Sequence, residues 1–301
     1  MLLLAMFMEI SWVNQQKQDI KIKSFLKQKK VSRRLLSAIR YHGGKLMLNG
    51  QDCRKIDFLK QNDQLTLRLP AENPNHLQAS YVPVEIYYED RDYLVVNKPP
   101  RLASIPSPLH PNDSLINRVW GYYQIRHYQG ITPHIITRLD RDTSGLVLLA
   151  KHRFAHALLN DQPVKIEKEY FAFLTGRLTC QHLLIALPLS QDPTSLIKRQ
   201  VTLLGGKTAI TELKTKKLLQ KASFCQLRLH TGRTHQIRVH CAYLGHPLVA
   251  DTLYGGKITK ILDRQALHCK RLKFWQPFEK KFIEVNCCLP QDMKRYLIQN
   301  S

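Results

Sequence analysis

Hydrophobic positions recur along the chain at two spacings, and the breaks between them fall on glycine, proline or polar clusters. Ile22, Phe25 and Leu26 mark a short amphipathic helix. Ser32 is placed to cap a second, with Leu35, Leu36 and Ile39 at helical spacing and Gly43-Gly44 to end it. Leu46-Met47-Leu48 runs into an Asn49-Gly50 turn, and Leu65 to Leu69 alternates like a strand. Ala71 to His76 is polar and proline-bearing, a natural linker. Beyond it, Ile86 to Asp90 and Tyr93 to Pro100 read as two strands, the second closed by prolines. Asp113 or Ser114 starts a helix with Leu115, Ile116, Val119, Trp120 and Tyr123 on one face, and His152 to Asn160 reads as another helix. No internal repeat or low-complexity tract is evident.

One segment does not fit a simple alternation. Ile135, Ile136 and Thr137 are strand formers, and Leu146 to Ala150 is a continuous apolar run that predicts a buried strand. Between them lies Arg138-Leu139-Asp140-Arg141-Asp142-Thr143-Ser144-Gly145. Turn chemistry accounts for Asp142, Ser144 and Gly145. It does not account for Arg138 or Asp140, because charges packed against core strands are costly unless they pair or do chemistry. A functional loop is favoured over a salt-bridged structural turn.

Charge changes the picture next. Lys plus Arg number 46 against 23 Asp plus Glu, a formal net charge of +23, which favours a polyanionic partner. Between Lys17 and Lys45 the basic residues include Lys29, Lys30, Arg33, Arg34 and Arg40, with Asp19 the sole acid. The seven cysteines contain no CxxC pair and suit free thiols in a reducing cytoplasm. The opening MLLLAMFMEISW is too short to span a membrane and lacks a basic n-region, so no targeting signal is expected. A membrane-surface role would want a basic amphipathic helix with bulky apolar anchors, which is not found.

Other chemistries are disfavoured by spacing. His230, His235 and His240 are separated by steps of five. Such steps diverge on a helix and fall on opposite faces of a strand, so no metal site is expected. Gly205-Gly206-Lys207-Thr208 lacks the earlier glycine of a phosphate loop, and there is no HxE with CxxC of a zinc deaminase.

The string RLDRDTSGL, Arg138 to Leu146, resembles the defining motif of the RluA-type RNA pseudouridine synthases, with Thr137 departing from the histidine common before it. YLVVNKPP, Lys168-Glu169-Tyr170-Phe171-Ala172 and HTGRTHQIRVHCAYLGHPLVADTLYG (residues 230 to 255) resemble further segments of that family. In the last of these Thr234 is placed to cap a helix carrying Ile237, His240, Cys241 and Leu244, stopped by Gly245. Residues 17 to 70 resemble the RNA-binding domain named after small-subunit ribosomal protein four, VSRRLLSAIR matching its second helix and LMLNGQ its hairpin.

The resemblance implies an α+β fold with a mixed, mostly antiparallel sheet and flanking helices (residues 77 to 301), preceded by a small basic α/β RNA-binding domain (1 to 76). It implies isomerisation of uridine in structured RNA, ribosomal or transfer. That reaction adds and oxidises nothing, so no cofactor is required. Asp140 is the expected catalytic carboxylate, since a carboxylate is the natural catalyst beside an anomeric carbon. Arg233 is expected to pair with it and keep it ionised. Tyr170 is expected to pack against the base and assist removal of its carbon-5 proton. Arg138 is placed to enter the gap left by an extruded base, and Arg141, Lys168 and the basic N-terminal residues to contact RNA. A cytoplasmic monomer is expected. The alternative is a non-catalytic RNA-binding factor of the same fold, against which the joint presence of Asp140, Tyr170 and Arg233 counts.

Overall fold

The computed structural model describes residues 8–74, 77–107, 111–160 and 166–301. Most of the apolar opening and two linker residues lie outside that set. Two sheets organise the molecule. The first has four antiparallel strands in the order Glu9–Val13, Gln64–Arg68, Lys45–Leu48 and Gln51–Asp52. The Asn49-Gly50 turn joins its last two strands, with both residues at positive φ (50° and 84°), as a tight two-residue hairpin requires. Helices Ile22–Gln28 and Arg33–Tyr41 pack on this sheet, and Ser32 Oγ caps the second by accepting the Leu35 N–H at 3.1 Å.

The second sheet has ten strands. Its main path runs His182–Ala186, Ile210–Leu218, Ala222–Leu229, Glu167–Thr175, Leu267–Gln276, Ser144–Ala150, Tyr93–Lys98 and Glu85–Glu89. All pairings are antiparallel except a two-residue parallel contact, Ser144 with His268 and Gly145 with Cys269. That contact explains the glycine of the polar knot. Gly145 has φ 116°, and a β-carbon there would sit 2.3 Å from the Cys269 carbonyl oxygen. No side chain fits, so the two strands meet through bare backbone. The strand Ser144–Ala150 is buried along its whole length, as its apolar run predicts.

Two local expectations are revised. Ile136 and Thr137 do not continue a strand: only His134–Ile135 pairs with Leu149 and Ala150. Both following amides converge on the Leu148 carbonyl, and Thr137 Oγ1 accepts the Leu148 N–H at 2.9 Å, which turns the chain towards Asp140. Thr234 does not cap the helix Gln236–Tyr243; His235 holds the N-cap position, in a left-handed conformation with φ 57° and with no capping bond from its side chain. The Gln236 side chain takes over the bracing of that turn, accepting from the Arg233 amide and donating to the Ile210 carbonyl and Thr211 Oγ1.

The smaller core is not confined to the N-terminal part. Phe154 and Leu158, on helix Arg153–Asn160, are buried in it, with Phe278 packed against them. Glu72 ties the linker down as well, pairing with His134 at 2.6 Å and accepting the Arg153 N–H at 2.7 Å. Among the described residues no helix is long and apolar enough to cross a membrane.

Candidate active site

The turn bearing Asp140 is held from beneath by backbone contacts. Ser104 Oγ donates to the Leu139 carbonyl at 2.7 Å and accepts the Leu139 N–H at 3.2 Å. The Lys98 ammonium, fully buried, donates to the carbonyls of Pro99, Leu102 and Arg141 at 2.8–2.9 Å. Burial pushes its pKa down to about 7, while three carbonyl acceptors use all three N–H groups of the charged form. Arg264, itself buried, donates to the Asp142 carbonyl and pairs with Asp292. Asp142 turns its carboxylate to Arg141 at 3.1 Å, consistent with a turn residue.

Asp140 points into an open cleft of about 610 Å³, lined among others by Arg138, Arg141, Lys168, His230, Gly232 and Arg233. That volume falls in the range of small-molecule sites, about 300–1,000 Å³. A smaller recess of about 80 Å³ adjoins it, lined by Asp140, Tyr170, His235 and Arg238 among others.

The ion pair of Asp140 corrects one expectation. Arg233 is exposed, and its Nε donates to the Thr208 carbonyl at 3.0 Å instead of to Asp140. Arg238 holds Asp140, Nη1 to Oδ2 at 3.1 Å. The reason is helical direction: Arg238 is the third residue of the helix Gln236–Tyr243, on the side facing the Asp140 turn, while Arg233 precedes the helix. Arg238 also makes two 2.8 Å hydrogen bonds to Asp251, which is 1% exposed, and lies over the Tyr254 ring at 5.0 Å. Burial opposes its charge, but the Asp251 hydrogen bonds and the charges of Asp251 and Asp140 outweigh it and raise its pKa above the usual arginine value.

The remaining expected residues fall into two groups. Tyr170 is buried in the recess, and burial, then the Cys269 thiol and Asp140, hold its phenol pKa well above the ordinary value. Lys168 lines both cavities and makes no ion pair among the described residues; burial lowers its pKa, Cys269 opposes and Arg138 adds. Arg138 is exposed at the cleft. Lys29, Lys30, Arg33, Arg34 and Arg40 line neither of these cavities. Lys29 and Lys30 border a separate groove of about 500 Å³ with Trp12, Arg91, Phe154 and Phe278, and Arg40 stacks over Tyr41 at 5.3 Å.

Sequence reasoning missed Asp251, Tyr254 and His235 as parts of the site and ranked Arg238 behind Arg233 as the partner of Asp140. A signal for Arg238 was present: it sits between Ile237 and Val239 on a helix whose neighbours are buried, where an arginine needs a carboxylate. Among the described residues no group of three or more His, Cys, Asp or Glu is placed to hold a metal ion.

Comparison with known proteins points one way. A family model described as RNA pseudouridylate synthase matches residues 92–243. The Bacillus subtilis protein YjbO, named an uncharacterized RNA pseudouridine synthase, is 40% identical over 279 residues, covering 92% of this chain and 98% of that protein. A Vibrio parahaemolyticus protein named ribosomal large subunit pseudouridine synthase D is 33% identical over 273 residues, 83% of this chain and 81% of its own. The solved structure of human RNA pseudouridylate synthase domain containing 1 superposes with a TM-score of 0.55 at 23% identity, covering 73% of this chain and 96% of that one, a likeness of fold.

Proposed function

The chain belongs to the RNA pseudouridylate synthase family, and on that premise we propose that it isomerises uridines of structured ribosomal RNA with Asp140 as the catalytic carboxylate. The observation that carries the role of Asp140 is its Arg238 pair at the mouth of a cleft with cationic walls. An RNA pseudouridine synthase breaks the N1–C1′ bond of uridine, turns the base and forms a C5–C1′ bond. The C5 proton is given up and N1 gains one, so the reaction balances without a further reagent.

An ionised carboxylate beside the sugar serves this reaction, and Arg238 gives Asp140 a charged partner 3.1 Å away. Tyr170 supplies an apolar platform for the base. Because its phenol stays protonated through the physiological range, packing is its main role, and proton removal at C5 falls to another group or to water. Arg138, exposed beside Asp140, fits the gap left when the base leaves its stack. Arg233 and Lys168 line the same cleft and suit phosphate contacts.

Ribosomal RNA is preferred to transfer RNA because relatives named ribosomal large subunit pseudouridine synthase D match over four fifths of this chain. Two arginines, Arg33 and Arg34, open the helix Arg33–Tyr41 with no acid in its first turn. Cations at that end work against the helix dipole by about 0.3–1 kcal/mol each, a cost that phosphate binding offsets. The proposed compartment is the cytoplasm, in keeping with seven unpaired cysteines.

Mapping pseudouridines across total RNA, with the gene deleted and restored, tests this reading. Ribosomal positions should lose pseudouridine on deletion, regain it with the wild-type gene and not with Asp140→Asn. Loss confined to transfer RNA would overturn the substrate, and full restoration by Asp140→Asn would overturn the residue.

A further inference from the structure

Arg238 is not the sole group on Asp140. His235 Nε2 lies 3.7 Å from the same carboxylate oxygen, Oδ2, that Arg238 grips. On its other side, His235 Nδ1 is 2.9 Å from the Tyr254 hydroxyl, and the Arg199 amide donates to that hydroxyl at 2.9 Å. We propose that His235 is a positioning residue, a neutral imidazole whose Nε2–H steadies Asp140 Oδ2 because Tyr254 occupies Nδ1, leaving Oδ1 as the oxygen presented to the nucleotide. The proposal rests on Asp140 being the catalytic carboxylate.

Proton accounting selects the tautomer. A backbone N–H can only donate, so the Tyr254 oxygen accepts from Arg199. The phenol's own hydrogen then needs an acceptor, and among the described residues His235 Nδ1 is the one within reach. Placing a proton on Nδ1 instead would strand that phenolic hydrogen in a half-buried site, at the cost of an unsatisfied donor. With Nδ1 accepting, the neutral ring carries its hydrogen on Nε2, the atom turned to Asp140.

The groups facing the ring agree. They are Asp140, Arg238, Asp251, Arg199 and Tyr254. Burial disfavours the imidazolium, Asp140 opposes that, and Arg238 adds to it; the balance lowers the histidine pKa.

Backbone geometry supplies an independent reason to regard the placement as functional. His235 occupies the left-handed region at φ 57°, uncommon for a residue with a side chain and tolerated best by Asn, Asp and His. Such strain concentrates where a side chain must be aimed. Here it aims the ring at Asp140. The 3.7 Å separation is longer than a hydrogen bond, and contacts of this kind tighten when substrate fills the site. Both donors converge on Oδ2, and no described donor reaches Oδ1. One carboxylate oxygen is therefore fixed and the other is free to react.

The test uses the full chain, with 15N-labelled histidine for NMR and a transcript carrying a mapped target uridine for kinetics. The His235 signals should report an unprotonated Nδ1 and a protonated Nε2 at neutral pH; the reverse tautomer overturns the proposal. His235→Asn suits the left-handed backbone and can still meet Tyr254, but it cannot reach Asp140. It should lower kcat by about ten- to a hundredfold, the worth of one hydrogen bond to a charged group, with KM changed by no more than about twofold. His235→Gln, long enough to bring an N–H to Oδ2, should recover most of that loss.

A kcat for His235→Asn within about twofold of wild type would refute the role, and equal losses in the Asn and Gln variants would reduce it to a structural one. Should the Asn variant fail to fold, Tyr254→Phe decides. It removes the donor that holds Nδ1, so the ring should turn away from Asp140 and kcat should fall at unchanged KM, and an unchanged kcat would count against the relay. Asp140→Asn assayed alongside keeps the two readings apart. Its activity tests the carboxylate, whereas the wild-type tautomer is read without reference to turnover.

Discussion

Asp140 and Arg238 meet at 3.1 Å across the cleft, and Arg238 is the same side chain that forks onto the buried Asp251. One guanidinium thus serves two carboxylates in different ways. Asp251 takes its planar edge in two hydrogen bonds and fixes it in place, while Asp140 takes a single bond through Oδ2.

Removing the charge while keeping the shape isolates the role of Asp140. Asp140→Asn should reduce pseudouridine formation by on the order of 10³-fold or more, with RNA affinity nearly unchanged. Single-turnover assays and a filter-binding curve on the same RNA check both halves. Asp142→Asn should be far milder, because that carboxylate faces Arg141 and its backbone carbonyl, not its charge, is what Arg264 holds.

The two arginines should separate cleanly. Arg238→Ala strands a carboxylate that is 1% exposed, so it should cost both activity and about 3–5 kcal/mol of stability in urea melts. Arg238→Lys should restore part of the fold and less of the rate, since lysine lacks the fork. Arg233→Ala should leave the melt unchanged and act on KM, because its side chain reaches the Thr208 carbonyl and the open cleft. A large kcat defect at unchanged KM in Arg233→Ala would reinstate it as the partner of Asp140.

Much of this site was legible in the sequence, for physical reasons. The polar knot between core strands singled out Asp140 because a charge there needs a partner, and the structure sets it in the cleft against Arg238. The buried strand after it followed from an unbroken apolar run, and Ser32 and Ser114 announced helix starts that the structure keeps. What stayed hidden was direction. Arg233 and Arg238 share one short motif, and only the left-handed turn at His235, which starts the helix one residue later than Thr234 suggests, decides which faces the carboxylate. The docking of Phe154 and Leu158 into the N-terminal core was equally unreadable, because an amphipathic helix advertises an apolar face without naming what covers it.

Gly145 carries a prediction of its own. At φ 116°, with a would-be β-carbon 2.3 Å from Cys269 O, Gly145→Ala must shift one of two backbone segments. The backbone strain alone is worth about 1–3 kcal/mol. The displaced segment carries Ser144 and abuts the turn bearing Asp140, the proposed carboxylate, so rate should fall further than stability. Melting and turnover measured together check this, and an unchanged melting temperature would contradict the close approach.

Basic residues of the N-terminal helices should reveal themselves through salt. Replacing Arg33 and Arg34 by Gln should lower the slope of log affinity against log salt by about 0.7–0.9 for each phosphate that is no longer neutralised. These substitutions are preferable to deleting residues 1–76, which would also uncover Phe154 and Leu158 and destabilise what remains. Removal of two cations from the first turn should leave the helix no weaker and slightly more stable. An unchanged slope would mean that this face is merely solvated.

Acid should loosen the junction behind the Asp140 turn through His268. This buried ring lies between Ser144 Oγ at 2.9 Å on Nδ1 and Cys287 Sγ at 3.1 Å on Nε2. Burial, reinforced by the nearby Arg264 charge, pushes its pKa down to about 4. The unfolded chain therefore takes up a proton below about pH 6.5 while the folded chain resists until about pH 4. Stability from this group is complete above pH 6.5 and drains away as pH falls through that window, by at most ~3 kcal/mol. His268→Gln, which stays neutral throughout, should flatten the acid limb of the stability profile although it lowers stability at pH 8. Urea melts at half-unit intervals from pH 4 to pH 8 distinguish the two profiles. Parallel curves for wild type and variant would show that other groups set the acid limit. If the limb does flatten, the same neutral ring that binds Ser144 to Cys287 is what makes the strand junction beside Asp140 sensitive to acid.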